Sequence, residues 1–198
     1  MNTRASHQLR IIGGQFRGRR LPFVEQPGLR PTPDRVRETL FNWLAPIIVG
    51  ARCLDAFAGS GALGFEALSR GSGEVILLER AAPAARQLLA NAQTLGISNE
   101  MNIVQTDALQ WLAGAGRPFD VVFLDPPYSA DLLAPAIEKL ANNGWLAAGA
   151  RVYLETASSS DFPTLPTGWE LMRDKTAGQV RYGLVVVEIE RKINAHSP

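Results

Sequence analysis

Leu54-Asp55-Ala56-Phe57-Ala58-Gly59-Ser60-Gly61-Ala62-Leu63-Gly64 runs from an apolar strand end through a glycine-rich turn into a helix. Gly59, Gly61 and Gly64 have the spacing G-x-G-x-x-G, which lets a backbone turn tightly and approach a ligand at a helix N-terminus. The spacing alone has low specificity, because glycine turns serve helix–strand packing as often as ligands. Its surroundings raise it. Strands are predicted near 52–57, 74–79, 101–106, 119–124 and 150–156, with helices near 60–70, 82–95, 107–114 and 130–142. That alternation implies a parallel sheet with helices on both faces. The stretches 169–176 and 180–190 are strand-like and joined through Ala177-Gly178-Gln179. With no helix between them they must pair antiparallel, as a hairpin on one sheet edge.

Upstream, residues 1–8 are expected to be disordered. Leu9 to Gly14 and Phe16 to Leu21 read as two short strands around a glycine turn, and 22–31, with Pro22, Pro27, Gly28 and Pro31, as an extended linker. Thr32 followed by Pro33 predicts a helix start with a capping hydroxyl and a proline in the first turn. Val36, Leu40, Phe41, Trp43 and Leu44 recur at helical spacing to Ala45, and Pro46 ends the run. The expected organisation is a basic hairpin and linker over 1–31, one α/β domain over 32–190, and a polar tail over 191–198.

Of the 198 residues 46% are hydrophobic and 20% charged, as in ordinary soluble globular domains. The single cysteine, Cys53, has no internal disulfide partner and falls in a predicted strand, so a buried inert thiol is expected. His7 and His196 sit near opposite termini, no Cys/His cluster has ligand spacing, and no metal is expected. No apolar run approaches the roughly 20 residues that span a bilayer, and no apolar segment follows the basic N-terminus as in a secretory signal. A reducing, cytoplasmic setting without membrane contact is expected.

The formal charge of +1 conceals an asymmetry: residues 1–37 hold eight arginines against Glu25 and Asp34, whereas the remainder is mildly acidic. An all-arginine segment favours a polyanionic partner, because the planar guanidinium matches phosphate and stacks on bases. A solvated basic terminus is the plainer explanation.

Two acidic residues follow later strands. Glu79 ends the second strand 20 residues after Gly59, where a carboxylate accepts hydrogen bonds from ribose hydroxyls. Asp107 follows the third strand, either to take an adenine amino group or to cap the next helix. A nicotinamide dinucleotide and S-adenosylmethionine both fit these features. Asp55 inside the loop would repel a pyrophosphate but suits an ammonium or sulfonium. Nothing beyond residue 125 resembles a hydride-transfer substrate domain. After the fourth strand comes Asp125-Pro126-Pro127-Tyr128: a carboxylate, a backbone stretch without N–H donors, and an aromatic face. That combination suits a planar base with an exocyclic amino group and has no role in hydride transfer. The methyl donor is favoured.

Asp55 to Gly64, Glu79, Asp107 and Asp125 to Tyr128, in this order, resemble a class I S-adenosylmethionine-dependent methyltransferase that modifies amino groups. Ile11-Ile12-Gly13-Gly14-Gln15-Phe16-Arg17-Gly18-Arg19 and Leu29-Arg30-Pro31-Thr32-Pro33-Asp34-Arg35-Val36-Arg37-Glu38-Thr39-Leu40-Phe41-Asn42-Trp43-Leu44 resemble the bacterial RsmD family, and the likeness spans about residues 9–190. The resemblance implies a Rossmann-like class I methyltransferase fold. This is a seven-stranded mixed sheet with helices on both faces and the last strand antiparallel beside the fifth, plus an N-terminal β-hairpin. It implies methylation of the exocyclic N2 of a guanine in small-subunit (16S) ribosomal RNA, naked or in a small-subunit particle. Donor contacts are expected from Asp55, Phe57, Gly59, Gly61, Glu79, Asp107 and Ala108, and catalytic contacts from Asp125, Pro126 and Tyr128. In amino methyltransferases Asn is the commoner first residue of this tetrapeptide.

On that basis Asp125 and the Pro126 carbonyl accept the two N–H bonds of the amine, and Tyr128 stacks on a base that must be unpaired or extruded. Arg10, Arg17, Arg19, Arg20, Arg30 and Arg35 are candidate RNA contacts, with Arg37 also in that segment; Arg35 and Arg37 have helix-surface ion pairs as the alternative. Other readings are an amino methyltransferase acting on DNA adenine or protein glutamine, an NAD-dependent oxidoreductase, and a non-catalytic RNA-binding module.

Overall fold

The computed structural model describes residues 7–25, 32–128 and 131–188. A seven-stranded sheet is built from β3 (Arg52–Asp55), β4 (Glu74–Glu79), β5 (Met101–Gln105), β6 (Phe119–Leu124), β7 (Leu146–Ala157), β8 (Trp169–Ala177) and β9 (Val180–Val187). The spatial order is β5-β4-β3-β6-β7-β9-β8. The first five strands of the domain are parallel, whereas β9 runs antiparallel between β7 and β8. The expected terminal hairpin and the antiparallel insertion beside the fifth strand are both present.

Strand alternation sends side chains into two cores. Cys53, Val75, Leu77, Val121, Phe123 and Tyr153 face one side, packed under α1 (Asp34–Leu44), α2 (Ala62–Ser69) and α3 (Ala82–Leu95). Leu54, Ile76, Leu78, Val122, Leu124, Val152 and Leu154 face the other, under α4 (Ala108–Leu112) and α5 (Leu133–Asn142). Continuous apolar runs are what a parallel strand covered on both faces requires. Cys53 is fully buried, and its surroundings push the thiol up to about 12. No described helix is long and apolar enough to cross a membrane.

Several boundaries differ from expectation for identifiable reasons. β3 ends at Asp55 and α2 starts only at Ala62, because Gly59 and Gly61 keep left-handed conformations and prolong the loop. β7 begins earlier, at Leu146: Phe119 pairs with Leu146 but Val121 with Arg151, so extra residues of β7 bulge between them. α5 begins at Leu133, later than the expected 130; residue 130 of the expected helix lies outside the described ones. The polar tail lies outside them as well.

The N-terminal hairpin exists but its strands are short: β1 (Gln8–Arg10) pairs with β2 (Arg20–Pro22), with Leu9 opposite Leu21. His7 and Gln8, expected to be disordered, belong to it, since the Phe23 N–H donates to the His7 carbonyl. Between the strands the chain leaves its partner to lie on the end of α2. There the Gln15 N–H donates to the Ser69 carbonyl (2.7 Å) and the Phe16 N–H to Ser69 Oγ (2.9 Å). Gly14, at φ +75°, makes this approach possible; a Cβ there would stand 1.7 Å from the Ser69 carbonyl oxygen. Leu9, Ile11, Phe16 and Leu21 enter the same core as α1 to α3.

Candidate active site

Strand order reverses beside β3: the chain moves outward through β4 and β5, then returns to place β6 on the other flank. Crevices form outside the carboxyl ends of strands at such a point. Both motifs lie there. The glycine loop follows β3, and Asp125 follows β6, whose Phe123 pairs with Asp55.

In the glycine loop, Asp55 is buried and its Oδ2 accepts from the Gly64 N–H (3.1 Å). Burial pushes this carboxyl up to about 7, against opposing hydrogen bonds from Gly64 and Phe57 and with a further upward push from Glu79. Gly61 has φ +80°, and a Cβ on it would come within 2.6 Å of Leu88 and 2.7 Å of the Phe65 ring. Its glycine is therefore demanded by core packing whatever the loop binds. Glu79 ties two loops together: Oε2 accepts from the Gly59 N–H (2.9 Å) and Oε1 from the Ala81 N–H (2.7 Å). A carboxylate has about four acceptor positions, so Glu79 keeps capacity for further donors. Asp107 caps α4 by accepting from the Gln110 N–H (3.1 Å), Ala108 is buried in the α4–α5 core, and Phe57 packs against that core.

The burial of the Asp55 carboxyl has a consequence for stability. The folded state holds the Asp55 proton to about pH 7, whereas an ordinary aspartate releases it near 3.8. Its contribution to stability is therefore complete below about 3.8 and is lost as pH rises through about 7. Asp55→Asn is expected to flatten this part of the stability–pH profile and raise the melting temperature at pH 8; thermal denaturation from pH 4 to 8 checks it.

At the end of β6, Asp125 is only partly exposed, and Thr32 Oγ1 donates to its Oδ2 (3.0 Å). Thr32 does not cap α1, contrary to expectation: Pro33 occupies the cap position without a side-chain hydrogen bond. Glu155, on β7, joins the group. Tyr128 Oη donates to Glu155 Oε1 (2.7 Å) and Tyr153 Oη to Glu155 Oε2 (2.6 Å). Burial first, then the Glu155 carboxylate, holds Asp125 well above the usual carboxylate range. Glu155 is raised as well, by burial, against the donated bonds of Tyr153 and Tyr128. Pro126 is buried, and Tyr128 presents 46% of its surface to solvent.

The arginines divide. Arg17, Arg19, Arg20 and Arg35 are exposed. Arg10, also exposed, pairs with Asp34 (2.7 Å) two residues beyond Thr32, which connects the hairpin to the Asp125 end of the crevice. Arg30 lies outside the described residues. Arg37 is not a surface residue: it is buried, donating to Asp34 Oδ1 (2.6 Å), the Arg10 carbonyl (2.9 Å) and Glu66 Oε2 (3.5 Å). Its place on the inner edge of α1, beside the buried Glu66, removes it from the surface candidates.

The family model described as conserved hypothetical protein 95 matches residues 9–186. The ribosomal RNA small subunit methyltransferase D of Escherichia coli strain K12 is 50% identical over 194 residues, covering 98% of each chain. The protein of the same name from Haemophilus influenzae is 48% identical over 183 residues, covering 91% of this chain and 94% of its own. The chain belongs to the RsmD family. Among solved structures, the putative methyltransferase yhhF of E. coli superposes with a TM-score of 0.86 at 49% identity, covering 92% of this chain and 99% of the other. A putative methylase of H. influenzae gives 0.81 at 43% identity, covering 92% and 100%. The sheet order of this RsmD-family chain is thus that of a class I methyltransferase.

Three members of the side-chain group around Asp125 lie outside the residues expected from sequence. From sequence Thr32 is a helix cap, and Tyr153 and Glu155 are strand positions. The signal for Glu155 was available: a carboxylate in the run Val152-Tyr153-Leu154-Glu155, in a strand covered on both faces, needs partners.

Proposed function

We propose that this chain methylates the exocyclic N2 of a guanine in 16S ribosomal RNA, with S-adenosylmethionine as donor. The observation that carries the proposal is the placement of Asp125-Pro126-Pro127-Tyr128 beside the glycine loop at the strand-order reversal, in a chain 50% identical to a ribosomal RNA small subunit methyltransferase. The residues fit the donor. Glu79 retains acceptor capacity for a ribose diol, and the buried Asp55 carboxyl is a site at which a bound cation would favour ionisation. Phe57, Gly59, Gly61, Asp107 and Ala108 complete the proposed cradle. When bound, the donor supplies a methyl group on a sulfonium.

The protein's share is acceptance and orientation. Asp125 and the Pro126 carbonyl accept the N–H bonds of the amine, turning its lone pair out of conjugation. Positive charge grows on that nitrogen as it reacts, so a carboxylate beside it binds the transition state more strongly than the ground state. Tyr128, held by its hydroxyl, keeps a ring face for the extruded base. The test is incubation of the protein with isotopically labelled donor and small-subunit material from cells lacking it, followed by mapping of the modified nucleotide. Label on guanine N2 supports the proposal; label on adenine or on protein refutes it.

The hairpin is the proposed RNA contact, through Arg10, Arg17, Arg19 and Arg20, with Arg30 and Arg35 alongside. Replacing Arg17, Arg19 and Arg20 together by alanine is expected to raise the RNA KM about tenfold or more at moderate salt and to flatten its salt dependence. Titration of KM against ionic strength checks this; an unchanged slope would remove the hairpin from the interface.

A further inference from the structure

Glu155 occupies a position that the proposed mechanism does not yet use. It is 3% exposed, its two oxygens receive the hydroxyls of Tyr128 and Tyr153, and the parallel register that pairs Leu124 with Leu154 sets it beside Asp125. Two neighbouring carboxyl groups away from water cannot both be ionised without cost; a proton on one of them removes the repulsion. We propose that Glu155 is a positioning residue for methyl transfer, fixing Tyr128 and sharing with Asp125 the proton that governs when Asp125 accepts from the target amine. The inference rests on the amino-methyltransferase function above.

The groups facing the pair are Asp55 at the end of β3, Thr32 ahead of α1, Tyr128 after β6, Tyr153 on β7, and Tyr182 on β9 opposite Glu155. None of these five is a cation, so a proton is the charge that relieves the pair. Two phenols donate to Glu155 and one hydroxyl, from Thr32, to Asp125, so the charge is better supported on Glu155 and the resting proton falls to Asp125. For Asp125 to serve the amine, that proton crosses to Glu155. The amine nitrogen then forms the new N–C bond as the methyl C–S bond breaks, sulfur keeps the electron pair, and one N2 proton passes to Asp125. The pair then carries two protons and returns one to solvent on product release.

Two substitutions take this proton off Asp125 by different routes. Glu155→Gln places an amide N–H against Asp125, which ionises Asp125 more readily; the acid limb of the kcat profile is expected to move down by at least about one pH unit. Tyr153→Phe takes a hydroxyl from Glu155, which strengthens its hold on the proton and draws that proton off Asp125, so the limb is expected to move down by a smaller amount. Donor Kd should stay within about twofold in both, because neither side chain lies on the glycine loop. Limbs that superpose on the parent profile, with kcat lowered equally at every pH, would show a purely structural role and overturn the proposal. Isotope-edited infrared spectra of the substrate-free protein provide an independent readout. A protonated carboxyl band lost in Asp125→Asn should titrate at lower pH in Glu155→Gln; an unmoved band overturns the shared proton even if the substrate proves to be something other than RNA. Conversely, a parent protein that fails to methylate ribosomal RNA while this band moves as expected refutes the proposed function and leaves the carboxyl pair standing.

Discussion

Replacing Asp125 by alanine is expected to lower the methyl-transfer rate constant by about a thousandfold while donor Kd stays within about twofold. The carboxylate is the one anionic group of the Asp125-to-Tyr128 segment, and its proposed role is realised as charge develops on the amine. The loss should therefore fall on kcat rather than on binding. Unfolding is not expected to confuse the result. Asp125 is held well above the usual carboxylate range by burial and by Glu155, so its removal relieves an unfavourable contact; Thr32 Oγ1 is the group left without its acceptor. The melting temperature at pH 8 should accordingly hold or rise. Asp125→Asn separates two contributions: an amide oxygen still accepts an N–H bond but cannot take a proton, so an intermediate rate is expected. Donor affinity by calorimetry and single-turnover methylation measure the two sides. Lost donor affinity with retained turnover would place Asp125 on the donor side of the crevice.

How much of this site was legible from residues alone depends on the range of the interaction. The glycine loop, Glu79 at a strand end and Asp125 after β6 are each encoded within a few residues of a strand terminus, and a regular alternation of strand and helix places them. The contacts that organise the site span greater distances. Thr32 reaches Asp125 across 93 positions and Tyr128 reaches Glu155 across 27, and neither pairing has a local spacing to betray it. Thr-Pro before an amphipathic run has the chemistry of a helix start, but the Thr32 hydroxyl finds Asp125 instead, an acceptor that local sequence does not specify. Glycine spacing carried less than it promised: Gly61 is required by Leu88 and Phe65 irrespective of ligand. The short hairpin strands have the same origin, since residues between β1 and β2 exchange strand pairing for contact with Ser69 on α2.

The same long-range logic makes Glu66 the largest expected stability determinant among the polar residues. Glu66 is fully buried on α2, and four groups donate to it: the Ile12 N–H (2.8 Å), the Gly13 N–H (2.8 Å), Arg70 Nε (2.8 Å) and Arg37 (3.5 Å). Two of these are backbone groups of the hairpin, and one is a guanidinium as buried as the carboxylate itself. Glu66→Ala would leave Arg37 with Asp34 and a carbonyl as its partners and orphan the two amides, with the Arg70 guanidinium also unpaired. Breaking a buried pair in this way costs about 3–5 kcal/mol, because the remaining charge keeps its desolvation penalty. For a chain of this length that corresponds to a melting temperature lower by about 10 °C. The damage should be local as well as global. Exchange protection at the Ile12 and Gly13 amides should collapse first, and RNA KM should rise as the arginine hairpin loses its seat, while donor Kd changes little. Glu66→Gln keeps one acceptor for the amides but not the charge opposite Arg37, so it should fall between the parent and alanine variants. Thermal denaturation and hydrogen exchange of the three proteins decide the matter: a shift under about 2 °C for the alanine variant would mean that Asp34 alone suffices to hold Arg37.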